Sequence, residues 1–66
     1  MRVEVNGATR EVPDGATLTD LLRLHGVRAE QVAVEVNRDL VPRAEHAARR
    51  VREGDRIEIV TFVGGG

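Results

Sequence analysis

Few groups in this 66-residue chain could do chemistry, and the most promising of them is not a side chain. The sequence ends in Gly64-Gly65-Gly66, which places an α-carboxylate at the end of three residues without side chains. Glycine alone can pass through a narrow channel without a Cβ touching its walls, and it prefers no single backbone conformation. Fully extended, three residues reach about 10 Å. Such an end has two readings. A frayed terminus is the ordinary one. The other is a carboxylate made to be threaded into the active site of a second protein.

The side chains offer little competition. There is no cysteine, hence no disulfide, thiolate metal site or thiol nucleophile. His25 and His46 each stand without a second histidine or a cysteine nearby in sequence, so no metal site is expected. No acid–base or nucleophile constellation suggests a free-standing enzyme. All ten basic residues are arginine, so an activated C-terminus would meet no side-chain amine of its own chain. Ten basic residues against eleven acidic ones give a net charge of −1, and Phe62 is the single aromatic residue. That balance suits neither nucleic acid binding nor a base-stacking platform. No apolar run is long enough to span a membrane and no leader pattern opens the chain, so a cytoplasmic protein without membrane contact is expected.

The elements that must position the tail follow from periodicity. Met1, Val3 and Val5 alternate with Arg2 and Glu4 as a first strand. Asn6-Gly7 suits a two-residue hairpin turn of type I′, and Ala8–Val12 is the return strand. Pro13-Asp14-Gly15 is a turn. Thr17 reads as a helix N-cap with Asp20 completing a capping-box variant. Leu18, Leu21 and Leu22 form one apolar stripe, and Gly26 ends the helix after His25. The imidazole of His25 then faces the negative end of the helix dipole. Val32, Val34 and Val36 mark a third strand, Asn37-Arg38-Asp39 a turn, and Leu40-Val41 a short fourth strand before Pro42. Ala44, Ala47, Ala48 and Val51 recur at helical spacing, which predicts a short helix or 3₁₀ segment. Arg56–Val63 is the last strand, apolar on both alternations: Ile57 and Ile59 on one side, Val60 and Phe62 on the other.

This order, β-β-α-β-β-(short helix)-β, is that of an α+β domain of the β-grasp, ubiquitin-like type. It predicts a mixed sheet with one main helix packed on one face. A doubly apolar last strand belongs in the sheet's centre, parallel to the first, because the chain between them contains the helix. Residues 1–63 would form the domain and 64–66 a flexible glycine tail leaving near the Asn6-Gly7 turn. Ile57 and Ile59 would face the helix leucines. Val60 and Phe62 would lie on the open face as a docking patch for a partner.

Three segments carry a family resemblance: Val36-Asn37-Arg38 with Val41-Pro42-Arg43, then Gly54-Asp55-Arg56-Ile57-Glu58-Ile59-Val60, then the terminal Gly64-Gly65-Gly66. Together they resemble the ThiS family of sulfur carriers in thiamine thiazole biosynthesis, over essentially the whole chain. His46 stands where many members carry tryptophan. The resemblance implies a protein co-substrate rather than an enzyme, with no cofactor bound by the chain itself. A ubiquitin-activating-type, ThiF-like partner would adenylate the Gly66 carboxylate with Mg-ATP. A sulfur donor such as a cysteine desulfurase, acting through a persulfide, would then leave a thiocarboxylate on Gly66. A ThiG-like thiazole synthase would accept the sulfur. Gly64 and Gly65 would be the tail that lies in the partner's channel. Rival readings keep the same fold: a carrier for molybdopterin synthesis or tRNA thiolation, a ubiquitin-like protein modifier, or an interaction module with an inert tail.

Overall fold

The computed structural model describes residues 1–62. Val63, the end of the expected last strand, and the tail residues Gly64, Gly65 and Gly66 lie outside the described residues. The described residues form five strands and one α-helix: β1 (Arg2–Val5), β2 (Ala8–Glu11), α1 (Leu18–Leu24), β3 (Val32–Val36), β4 (Asp39–Val41) and β5 (Arg56–Thr61). They form a single mixed sheet in the order β2-β1-β5-β3-β4. The pair β1 and β5 is parallel, while β1–β2, β3–β4 and β3–β5 are antiparallel. This is the β-grasp arrangement expected from the sequence, with first and last strands adjacent and parallel at the centre.

Local sequence explains each element. Asn6 and Gly7 both take positive φ, 50° and 83°, as a type I′ hairpin turn requires. Asn37 and Arg38, at 51° and 73°, do the same between β3 and β4, so that turn spans two residues and Asp39 already belongs to β4. Helix α1 begins with a full capping box: the Asp20 N–H donates to Thr17 Oγ1 at 3.2 Å and the Thr17 N–H to Asp20 Oδ2 at 3.0 Å. The Thr17 backbone N–H first, and the Thr17 hydroxyl second, hold the Asp20 carboxyl below the usual carboxylate range. At the other end the Gly26 N–H reaches Arg23 O and the Val27 N–H reaches Leu22 O, with Gly26 at φ 69°. That is a Schellman ending, and it turns the chain back toward the sheet.

The core lies between α1 and one face of the sheet. Leu18, Leu21 and Leu22 pack with Val3, Val5, Val34, Val36 and Ile57, and Ile59 packs against this cluster half-buried. The valine alternation in β3 is realised in full, with Val32, Val34 and Val36 buried. The edge strand β2 is exposed along its whole length. Among the described residues no helix is long and apolar enough to cross a membrane.

Between β4 and β5 the expected short helix or 3₁₀ segment is a 3₁₀ turn, though its burial does not follow the alanine periodicity. A 3₁₀ turn covers only Arg43–Glu45, and Ala44, Ala47 and Ala48 are exposed, while Val51 and His46 are buried. Its backbone serves α1. The Leu18 N–H donates to Arg49 O at 3.0 Å and the Thr19 N–H to His46 O at 3.3 Å, satisfying two donors that a helix start leaves without intrahelical partners. Val51 N–H closes the contact on Ala16 O at 2.8 Å.

His46 is thus a core residue, 3% exposed, with Nε2 donating to Val41 O at 2.9 Å. Its Nδ1 has no hydrogen-bond partner among the described residues. Replacing His46 by Ala removes the ring and leaves that carbonyl short of a donor. The expected cost is about 2–3 kcal/mol, measurable by urea titration. An unchanged midpoint would mean that the loop closes over the void at no cost.

Candidate functional site

The last strand is held on both flanks, and the two clamps are the asparagines of the hairpin turns. On the β1 side the regular ladder stops early, with Val5 opposite Ile57 as its last register pair. Asn6 then extends it with its side chain: the Ile59 N–H donates to Oδ1 at 2.8 Å, and Nδ2 donates to Ile59 O at 3.2 Å. On the β3 side Asn37 Oδ1 accepts from the Arg56 N–H at 2.9 Å, and its Nδ2 donates to Asp55 Oδ1 at 3.0 Å. Asp55 is buried, and its second oxygen accepts from the Arg52 N–H at 2.8 Å. Both asparagines sit at positive φ, a conformation that asparagine tolerates better than most residues. One residue type therefore shapes the turn and anchors the neighbouring strand.

Beyond Ile59 the strand stays on β3, with Val32 opposite Thr61 and the Phe62 N–H donating to Gln31 O at 2.9 Å. The backbone is fixed up to the residue where the described chain ends. Val60 and Phe62 lie on the face away from the helix, 51% and 56% exposed, as the alternation of β5 predicts. Leu40 of β4 joins that face through its register with Glu35, and Ala33 stands opposite Val60.

Sequence reading passed over two features here. Asn6 and Asn37 read only as turn residues, because a side chain's reach to a strand distant in sequence is invisible until the pairing is known. The register also sets Glu35 and Glu58 directly opposite each other, which spacing along either strand alone does not show. Neither has an ion-pair partner among the described residues, whereas the neighbouring Glu4 is matched by Arg56 Nε at 3.3 Å.

Nothing else among the described residues gathers into a reactive site. His25 places Nδ1 3.1 Å from Leu21 O at the end of α1, and His46 is occupied in the core. Among the described residues no three metal-ligating side chains come together. A hollow of 410 Å³ is lined by Pro13, Ala16, Asp20, Arg23 and Leu24 at the start and outer side of α1. It contains no nucleophile.

Comparison with known proteins agrees with this architecture. The family model described as the ThiS family matches residues 3–66. The crystal structure of a thiamine biosynthesis protein (ThiS) from Geobacter metallireducens superposes with a TM-score of 0.85 at 36% identity, covering 100% of both chains. Two proteins named thiazole synthase, from Paramagnetospirillum magneticum and Magnetococcus marinus, are each 41% identical over 66 residues. The chain is covered completely in both alignments but spans 20% of the length of each of those relatives.

Proposed function

Because this chain belongs to the ThiS family, we propose that it is a sulfur carrier of thiamine biosynthesis whose reactive group is the Gly66 carboxylate. The observation that carries this reading is the built exit of β5. Asn6 and β3 fix the strand up to Phe62, and the sequence then runs from Val63 into three glycines.

The chemistry asked of this end is simple. A carboxylate is a poor acceptor for a sulfur nucleophile until one oxygen becomes part of a good leaving group. An adenylating, ThiF-like partner with Mg-ATP would join the Gly66 carboxylate to the α-phosphate and release pyrophosphate. Sulfide would form the C–S bond as the C–O bond to AMP breaks and leave a thiocarboxylate directly. A desulfurase-derived persulfide would displace AMP to give an acyl disulfide, whose S–S bond a second thiol of the partner then cleaves, forming a disulfide with the donor's sulfur and releasing the thiocarboxylate for a thiazole synthase to accept. The chain's own residues contribute position. Gly64 and Gly65 let the end lie in a partner's channel without Cβ contacts, and the absence of cysteine and lysine leaves the activated acyl group no thiol or amine side chain of its own to meet.

Intact-protein mass spectrometry tests the reading after incubation with the adenylating partner, Mg-ATP and a sulfide source. The expected result is a gain equal to replacement of one oxygen by sulfur, localised to Gly66. An unchanged mass with a partner proven active on another carrier would overturn it in favour of a protein modifier or an inert tail.

The docking role of the open face makes a separate prediction. Phe62→Arg should shift stability by no more than about 0.5 kcal/mol, since the ring is more than half exposed. It should weaken binding to the adenylating partner. Thermal melts and calorimetry on the same variant check both. A variant that unfolds would put Phe62 in the core.

A further inference from the structure

The two asparagine clamps are near copies of each other, and they grip opposite ends of β5. Asn6 and Asn37 each open a two-residue turn, at φ 50° and 51°, and each carboxamide makes one bond as donor and one as acceptor. Asn37 holds Asp55 and Arg56, where β5 begins. Asn6 holds Ile59, close to where β5 ends. The flank that Asn6 covers is also the shorter one. Along β3 the register runs from Val36 opposite Ile57 to Val32 opposite Thr61, and the Phe62 N–H continues it. Along β1 it holds Glu4 opposite Arg56 and Val5 opposite Ile57, and the Asn6 N–H adds a bond to Ile57 O at 2.9 Å. Among the described residues no hydrogen bond from the β1–β2 hairpin reaches β5 beyond Ile59. The Asn6 carboxamide thus stands in for the next residue of a strand that has already turned away.

We propose that Asn6 is a positioning residue for the activation of Gly66: its side chain fixes the direction in which β5 leaves the sheet, and with it the direction in which the tail enters the adenylating partner. This role rests on the sulfur-carrier reading above and adds to it a requirement far from the carboxylate in sequence. A strand bonded on one flank can pivot about that flank, and bonds on both flanks remove the pivot. The residues from Val63 to Gly66 would reach about 13 Å if extended in a channel, so a pivot of about 10° at the exit would move the carboxylate by about 2 Å. A misplacement of about 1 Å already costs on the order of a hundredfold in a positioned reaction. Glycines can bend to recover part of such a displacement, so the expected loss is smaller, about tenfold. The turn geometry allows the clamp to be removed alone. Glycine adopts positive φ without strain, so Asn6→Gly keeps the turn and its backbone bonds and deletes only the carboxamide. Asn6→Asp keeps an oxygen for the Ile59 N–H and loses the donor to Ile59 O, which is half a clamp.

The test measures thiocarboxylate formation with the adenylating partner, Mg-ATP and sulfide for the natural chain, Asn6→Gly, Asn6→Asp and Asn37→Gly. Thermal melts and amide hydrogen exchange are recorded on each. Asn6→Gly should lower kcat about tenfold and speed exchange of the Ile59 amide. Its KM for the carrier should stay within about twofold of the natural value, because β3 still holds the strand at Phe62. Asn6→Asp should fall between Asn6→Gly and the natural chain. Asn37→Gly loosens the other end of β5 and takes a donor from the buried Asp55. It should lower Tm at least as much as Asn6→Gly, yet slow the reaction less at equal folded fraction. A merely structural role would make rate follow Tm across the variants, and that result overturns the proposal. So does a natural kcat in Asn6→Gly, or a loss confined to KM. If Asn6→Gly fails to fold, Asn6→Asp decides alone, and a natural kcat there overturns the proposal. A natural chain that gains no sulfur overturns the carrier reading, and this role with it, whereas a natural chain that gains sulfur no faster than Asn6→Gly overturns this role alone.

Discussion

Deletion of Gly66 should lower the rate of thiocarboxylate formation by more than about a hundredfold while leaving the thermal transition of the domain in place. The two halves of this expectation have separate causes. Among the described residues, the core cluster and the partly buried residues packed against it all lie at or before Ile59. The cross-strand bonds of β5 that fix the exit involve Ile59 and Phe62. Removing the last residue takes none of these away. The chemistry, however, is set by where the carboxylate sits. Shortening an extended chain by one residue withdraws its end by about 3.3–3.6 Å, and a misplacement of about 1 Å already costs on the order of a hundredfold in a positioned reaction. Mass spectrometry under single-turnover conditions, with a melt of the same sample, reads both. A truncated chain thiolated at the natural rate would remove Gly66 from the mechanism.

What the sequence made legible is what local rules govern. Asn6-Gly7, Thr17 with Asp20, the leucine stripe and Gly26 each specify a conformation within a few residues, and each appears where expected. The central, parallel placement of β5 was legible for another reason: a strand apolar on both alternations needs neighbours on each side, and the connection through α1 limits the topology. A short 3₁₀ turn between β4 and β5 was legible, and Arg43–Glu45 forms one; which side chains of residues 43–51 are buried was not, because that is dictated from outside. The segment's carbonyls at His46 and Arg49 bond the first turn of α1, so alanines at helical spacing end in solvent and a histidine ends in the core. Arg38 at positive φ shows the same override, since nothing in an arginine requests that conformation. At the candidate site, Val60 and Phe62 were readable from alternation alone. The Asn6 and Asn37 clamps and the Glu35–Glu58 juxtaposition depend on register between strands far apart in sequence, which alternation does not encode.

Val34→Asp should unfold the domain at 25 °C, and this locates the other limit of the design. Val34 is 1% exposed, at the centre of β3 between Val41 of β4 and Ile59 of β5. Its side chain points into the layer shared with α1, where the surrounding cluster is composed of valine, leucine and isoleucine. No cation among the described residues belongs to that cluster, so an introduced carboxylate would be buried without a partner. Loss of the valine's burial and of the carboxylate's hydration together cost about 3–5 kcal/mol. A single core in a chain of this size rarely supplies more than about 3–5 kcal/mol in total, so the change consumes the whole margin. Val34→Thr keeps the shape and adds only a hydroxyl, and should cost about 1–3 kcal/mol and leave a measurable folded population. Far-UV circular dichroism and urea titration of the pair decide it: a Val34→Asp chain with the natural transition would mean that β3 can turn this position to solvent. The contrast with Gly66 is physical. A side chain inside the sheet can abolish activity only by dissolving the platform, whereas the final glycine can abolish it with the platform intact, and only the second loss leaves a folded domain that still competes with the natural chain for its partners.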